Sequence, residues 1–259
     1  MHLLVVAGGL AAGVAFGQPA SVFLEDFTSP ELTAAIRGGK TTVLIPVGGT
    51  EQNGAHMVLG KHNVRAKALA DKVARALGNA LVAPVIAYVP EGNVNPPTGH
   101  MRYPGTLTVP ADVYRKVLAS AARSLRQAGF RDIVFLGEHG DYRRDNEAVA
   151  RELDREWAAT PVRAHAIDEY YRAATESFPK ALKGHGYTDA EIGQHAGVAD
   201  TSLALAVDPS LVRSDRLREA PSAGVSGDPR RASADLGKAG VDAIVAETVT
   251  AIRSATARR

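Results

Sequence analysis

The 259-residue chain contains no cysteine. That absence excludes disulfides, cysteine-ligated zinc, iron–sulfur clusters and a thiol nucleophile. Aromatic residues are scarce, at 5%. No basic block is interleaved with them, so nothing points to nucleic acid as a partner. No apolar run is long enough to cross a membrane comfortably. The glycine fingerprints of nucleotide loops, the H-E-x-x-H zinc helix and the G-x-S-x-G nucleophile elbow are all missing. Net charge is only +2, with Lys and Arg interspersed among acids on expected helix faces.

What is present is ordinary globular material. Hydrophobic residues make up 45% and charged residues 22%, enough apolar side chain to bury a sizeable core. The run from Leu3 to Phe16 is apolar and uncharged, and Gly17-Gln18-Pro19-Ala20 follows it. This pattern is that of a secretory leader with its cleavage zone, although the start, Met1-His2, lacks Lys or Arg. Residues 1–20 are therefore expected to be a signal peptide and 21–259 a single domain, periplasmic or secreted. The competing expectation is a buried first element in a cytoplasmic protein.

Past the leader, strand and helix patterns alternate. Ser29-Pro30-Glu31 opens a short helix with Ser29 as its cap. Thr41 to Val47 is an uncharged β-branched run, the pattern of a buried parallel strand. Val64 to Leu77 has helical periodicity, with Val64, Ala68, Leu69, Val73 and Leu77 on one side. Leu81 to Val89 is a second strand despite Pro84, and Pro90 to Gly105 a Gly/Pro/Asn-rich loop. A helix from Ala111 to Gln127 precedes a strand from Asp132 to Leu136. A helix from Asp145 to Trp157 and a strand from Val162 to Ile167 come next. Tyr170 to Glu191 is polar and is expected to be rich in loops. A helix begins near Thr201 to Ala206, Ala220 to Asp228 is a loop, and Ala232 to Ile252 is a closing helix. This alternation predicts an α/β domain with a mostly parallel sheet. In such sheets ligands bind beyond the carboxyl ends of the strands.

Histidines and carboxylates concentrate in three segments: Glu51 to His56, continuing to His62; Glu138 to Asp141; and Gln194 to Asp200. Imidazole and carboxylate together suit zinc, manganese or iron(II). One such cluster is weak; three after strand ends in one domain point to a metal site.

These segments resemble the creatininase family. Pro46 to Leu59 resembles its P-x-G-S-x-E-Q-H-G-P-H-L-P-L motif. Gly99-His100 with Tyr103-Pro104-Gly105-Thr106 resembles H-x-x-F-P-G-T, and Phe135 to Arg143 resembles the N-G-H-G-G-N or G-H-Y-E-N loop. His195-Ala196-Gly197 with Asp200-Thr201-Ser202 resembles H-A-G-x-x-E-T-S. Gly227-Asp228-Pro229 with Ala232 and Gly237 resembles G-D-P-x-x-A-T-x-x-G.

The resemblance implies a three-layer α/β/α fold and hydrolysis of cyclic or linear amides with one or two divalent metals, often in hexamers. It carries Glu51 and His139 over as metal ligands. Asp141 stands at a carboxylate ligand position, and Asp200 replaces a family Glu. His195 matches the proton-transfer histidine. His56 is expected to buttress the first loop from behind. Two positions depart: Asn53 replaces a metal histidine, and His62 replaces a metal-bridging Asp. The expectation is thus a metal held by Glu51, His62, His139, Asp141 and Asp200. His195 and Glu138 would be catalytic, and His100 and Asn53 would touch substrate. The reaction would be hydrolysis of a C–N bond, other than a peptide bond, in a small amide through a metal-bound hydroxide, in a homo-oligomer. The alternative is a non-catalytic small-molecule or metal binder with a degenerate centre.

Overall fold

The first strand, β1 (Thr42–Val47), is uncharged and buried at every position. It pairs in parallel with β2 (Ala80–Val82) on one side and β3 (Asp132–Gly137) on the other. β3 pairs in parallel with β4 (Arg163–Ala166), giving the order β2-β1-β3-β4. The computed structural model describes residues 20–219 and 223–257. The expected leader, up to residue 19, and residues 220–222 of the expected loop lie outside the described residues.

The helices are α1 (Ser29–Arg37), α2 (Lys61–Leu77), α3 (Ala111–Ala128), α4 (Arg143–Glu156), α5 (Glu169–Arg172), α6 (Phe178–Gly184), α7 (Asp189–Ile192), α8 (Val198–Val207) and α9 (Ala234–Thr256). Alternate strand residues point to opposite faces. Leu44, Val134 and Leu136 therefore meet Leu69 and Val73 of α2, Leu203 of α8 and Ile244 of α9. Val43, Ile45, Ile133 and Phe135 meet Tyr114 and Leu118 of α3 and Val149 and Leu153 of α4. A parallel sheet with a helix layer on each face agrees with the α/β domain that the alternation predicts and is the three-layer α/β/α fold that the family resemblance implies. No helix among the described residues is long and apolar enough to cross a membrane.

The boundaries differ from the expected ones for identifiable reasons. α1 is capped by Thr28, not Ser29; the Glu31 carboxylate takes the Thr28 N–H at 2.8 Å. The second strand stops at Val82, and past Pro84, which has no N–H to donate, only Ile86 bridges β1. The segment expected to be loop-rich, 170–191, is mostly helical. Its polar surface conceals Tyr170, Ala173, Phe178, Leu182 and Ile192, which supply a buried stripe. Thr188 and Glu191 form a capping box on α7. α8 and α9 touch backbone to backbone: a Cβ on Gly237 would lie 1.8 Å from the carbonyl oxygen of Ser202. Only glycine permits that approach.

Candidate metal centre

β1 and β3 end side by side at Val47 and Gly137, and the loops beyond them carry the chemistry. Tyr142, fully buried, ties the two loops together. Its hydroxyl accepts the N–H groups of Glu138 and His139 at 3.0 Å each. It lies 2.9 and 2.8 Å from the carbonyl oxygens of Val47 and Gly48, one of which takes its proton. Tyr142→Phe strands the His139 N–H and the Gly48 carbonyl in a dry site, while the Glu138 N–H keeps the Val47 carbonyl at 3.0 Å. We expect a loss of about 1–3 kcal/mol, read as a thermal midpoint several degrees lower. An unchanged midpoint would remove the hydroxyl from this role.

Glu51 stands at the centre, buried completely. Its Oε2 is 3.2 Å from His62 Nε2 and 3.5 Å from His139 Nε2. Its Oε1 is 3.6 Å from His100 Nε2 and 3.9 Å from His195 Nδ1. That Oε1 has no hydrogen-bond partner. Burial pushes the Glu51 carboxyl up, but hydrogen bonds and charge from His139 and His62 outweigh it and hold it well below the usual range. Among the described residues two groups could hold a cation: Glu51 with His100 and His195, and Glu51 with Glu91 and His139.

Glu91 carries no motif in the sequence, yet it is 3% exposed and its Oε2 lies 3.8 Å from His139 Nε2. Its Oε1 is a second buried oxygen without a partner. It sits so close to Gly49, at φ +156°, that a Cβ there would meet it at 2.6 Å. Burial pushes the Glu91 carboxyl up to about 8. Burial works against a proton on His139, but Glu51 and Glu91, 3.5 and 3.8 Å from its Nε2, outweigh it and hold one there. His195 is drawn down to about 4, first by burial and then by the charge of Lys61.

The other expected site residues have different partners. Asp200 does not turn to the centre; its oxygens take Lys61 and Arg65, the latter at 2.7 Å. Glu138 is bonded by Arg65 at 2.6 Å, by the Tyr170 hydroxyl and by His62 at 3.4 Å. Burial pushes its carboxyl up, but Arg65 and His62 outweigh it and hold it below its ordinary value, and these contacts anchor the loop. His62 lies between Glu51 and Glu138 with a ring nitrogen toward each, outside both cation groups. Asp141 is exposed; its backbone N–H, 3.3 Å from His139 Nδ1, is what reaches the site. Asn53 folds back, its amide donating to the Glu51 carbonyl at 2.6 Å. His56 is buried behind the loop, 3.1 Å from the Thr201 hydroxyl.

Three residues escaped the sequence reading: Glu91, Lys61 and Arg65. The last two were detectable, because they share the i, i+4 row of α2 with Leu69 and Val73 and so must be buried with them. Of the row expected from Val64, Leu69 and Val73 are fully buried and Leu77 packs against the core, whereas Val64 is 39% exposed.

The fold and the site together define an α/β protein with a carboxylate–imidazole centre at the carboxyl edge of its sheet. The family model described as creatinine amidohydrolase matches residues 25–252. The chain belongs to the creatininase family. It is 27% identical over 211 residues to creatinine amidohydrolase of Pseudomonas putida, covering 78% of each chain. It is 31% identical over 180 residues to the mycofactocin precursor peptide peptidase of Mycolicibacterium smegmatis, covering 68% of this chain and 61% of that one. A solved creatininase mutant described as Zn-Zn type superposes with a TM-score of 0.73 at 25% identity, covering 91% of this chain and 98% of the other.

Proposed function

We propose that the chain is a metal-dependent hydrolase of the C–N bond of a small amide, with its ion held around Glu51. The observation that carries this reading is Glu51 itself: a fully buried carboxylate, one oxygen without a hydrogen-bond partner, facing imidazoles on both sides. Carboxylate with imidazole is a donor set for zinc, manganese or iron(II). A bound divalent ion supplies polarisation of the amide carbonyl and acidification of water.

The chain's own residues supply the rest. Side chains of His100, His139 and His195 are 27%, 18% and 13% exposed over a carboxylate that is 1% exposed. A substrate therefore meets imidazole edges, which can supply a proton to the leaving nitrogen. Beneath, Lys61 and Arg65 offset Asp200 and Glu138, so the floor is charged but closed. With the carboxylate closed to solvent and the rings only partly exposed, a small molecule or a chain end is the favoured substrate. The relatives act, by their names, on creatinine and on a precursor peptide, so a panel of cyclic amides and short peptides is the appropriate screen.

The test is metal content, measured by elemental analysis on protein purified without added metal. The expected result is about one equivalent or more per chain, with turnover abolished by a chelator and restored by the ion. Protein that neither holds nor takes up zinc or manganese overturns the reading. A bound ion without turnover across the panel favours the non-catalytic binder instead.

A further inference from the structure

The two oxygens of Glu51 do not face equivalent groups. Hydrogen-bond bookkeeping separates them. A backbone carbonyl only accepts, so His195 Nε2, 2.9 Å from the Gln52 carbonyl oxygen, carries the proton. His195 Nδ1 then holds a lone pair, and it points at Glu51 Oε1, 3.9 Å away.

The same residue settles His100. The Gln52 side-chain nitrogen donates to the Ala223 carbonyl at 2.9 Å, which fixes the other atom of that amide as oxygen. That oxygen lies 3.1 Å from His100 Nδ1, so Nδ1 donates and Nε2 holds a lone pair. His100 Nε2 also points at Glu51 Oε1, at 3.6 Å. The rings are stacked, with centroids 4.0 Å apart and planes 32° apart, a contact that two charged imidazoliums would oppose. Three acceptors thus converge with no donor among them, and the carboxylate oxygen is buried and unpartnered. A tetrahedral ion with bonds of about 2.1 Å separates its ligands by about 3.4 Å, close to the spacings found. At Oε2 the arrangement is reversed. His139 Nδ1 faces the N–H of Asp141 at 3.3 Å, which leaves the proton on Nε2, directed at Glu51.

We infer that Gln52 arms a divalent-cation site made of Glu51 Oε1, His100 Nε2 and His195 Nδ1, and that this site, not the His139 side, takes the first ion. The inference rests on the metal-hydrolase reading and deepens it. His195 becomes a ligand, and Gln52 is a positioning residue: it touches no ion but sets both imidazole tautomers through its carbonyl and its side chain. The seat of Gln52 is itself built, because a Cβ on Gly224 would lie 2.1 Å from its Oε1.

The experiment is calorimetric titration of the metal-stripped full chain with Zn2+ alone, on the wild type and four variants, each checked by thermal melt. Wild type is expected to bind one ion tightly. His100→Ala, which removes a part-exposed ligand, weakens the first ion by more than about 100-fold; Gln52→Met weakens it by about 10–100-fold, the usual effect of losing a ligand's outer partner. Gln52→Glu keeps an acceptor for His100 and restores most of the affinity. His139→Ala leaves the first ion in place. Imidazole nitrogen NMR of the stripped wild type shows His100 protonated on Nδ1 and His195 on Nε2. If Gln52→Met and His100→Ala bind zinc as wild type does while His139→Ala loses it, the inference is overturned and the hydrolase reading stands. Wild type that binds no zinc overturns both.

Discussion

Asp200→Ala is expected to destabilise the protein by about 3–5 kcal/mol, the usual effect of removing one partner from a buried ion pair. Lys61 is 1% exposed and lies on Asp200; Arg65 bonds the other oxygen at 2.7 Å. Without the carboxylate, Lys61 loses its ion pair and Arg65 keeps only the one with Glu138. The thermal midpoint should fall on the order of 10 °C, and a fall of a degree or less would mean that water already reaches this cluster. Lys61→Met combined with Asp200→Leu should recover much of the loss, since apolar replacement of a whole pair is often neutral or stabilising.

The same cluster sets an acid limit. Burial pushes the Asp200 and Glu138 carboxyls up, but Lys61 and Arg65 outweigh it for Asp200, and Arg65 and His62 for Glu138, so both are held below their ordinary values. A carboxyl depressed in the folded state stabilises above its unfolded pKa, about 4. That contribution is lost as pH falls below about 4 through the folded values. In Asp200→Ala the acid transition should accordingly be shallower.

Glu51→Gln is the second large effect, and it falls on binding rather than folding. Losing a mere outer partner of a ligand weakens a metal by about 10–100-fold; losing the one carboxylate that both cation groups share should exceed that. Metal content after dialysis should drop to a small fraction of the wild-type value, and hydrolysis should drop with it. The melt should shift less than in Asp200→Ala, because Oε1 has no hydrogen bond to lose and the amide keeps one oxygen for the contacts that Oε2 makes with His62 and His139. Wild-type metal content in this variant would place the ion elsewhere and remove the centre from the proposal.

Much of the frame was legible because it is written in periodicity. β1 and β3 are buried at every position, and the alternation of strands with helices gave the parallel α/β sheet; the three layers came with the family resemblance. The segments holding Glu51 and His139 could be placed at strand ends before any contact was known; that of His195, expected at a strand end as well, instead joins α7 to α8. What was not legible depends on the third dimension. Glu91 lies in a loop with no repeat to read. Asp200 stands at a ligand position in its motif, yet it is claimed by two cations that the motif does not mention. Asn53 and His62 mark a change at the centre, but sequence alone does not show that His100 and Gln52 stand on its other side. The helices between Tyr170 and Ile192 were hidden by polar surface residues, which say where water is and not how the backbone turns.

The contact between Gly237 and Ser202 has a consequence for engineering. Ser202 lies two residues past Asp200 on α8, and the carbonyl it offers is a hard stop for the C-terminal helix. A helix resting on a side chain can slide as that side chain changes rotamer; one resting on bare backbone has a single seat. The histidine side of the centre is therefore set by a spacer with no adjustable parts, and directed evolution for a new substrate should find its freedom in the 91–105 loop, not in α8 or α9.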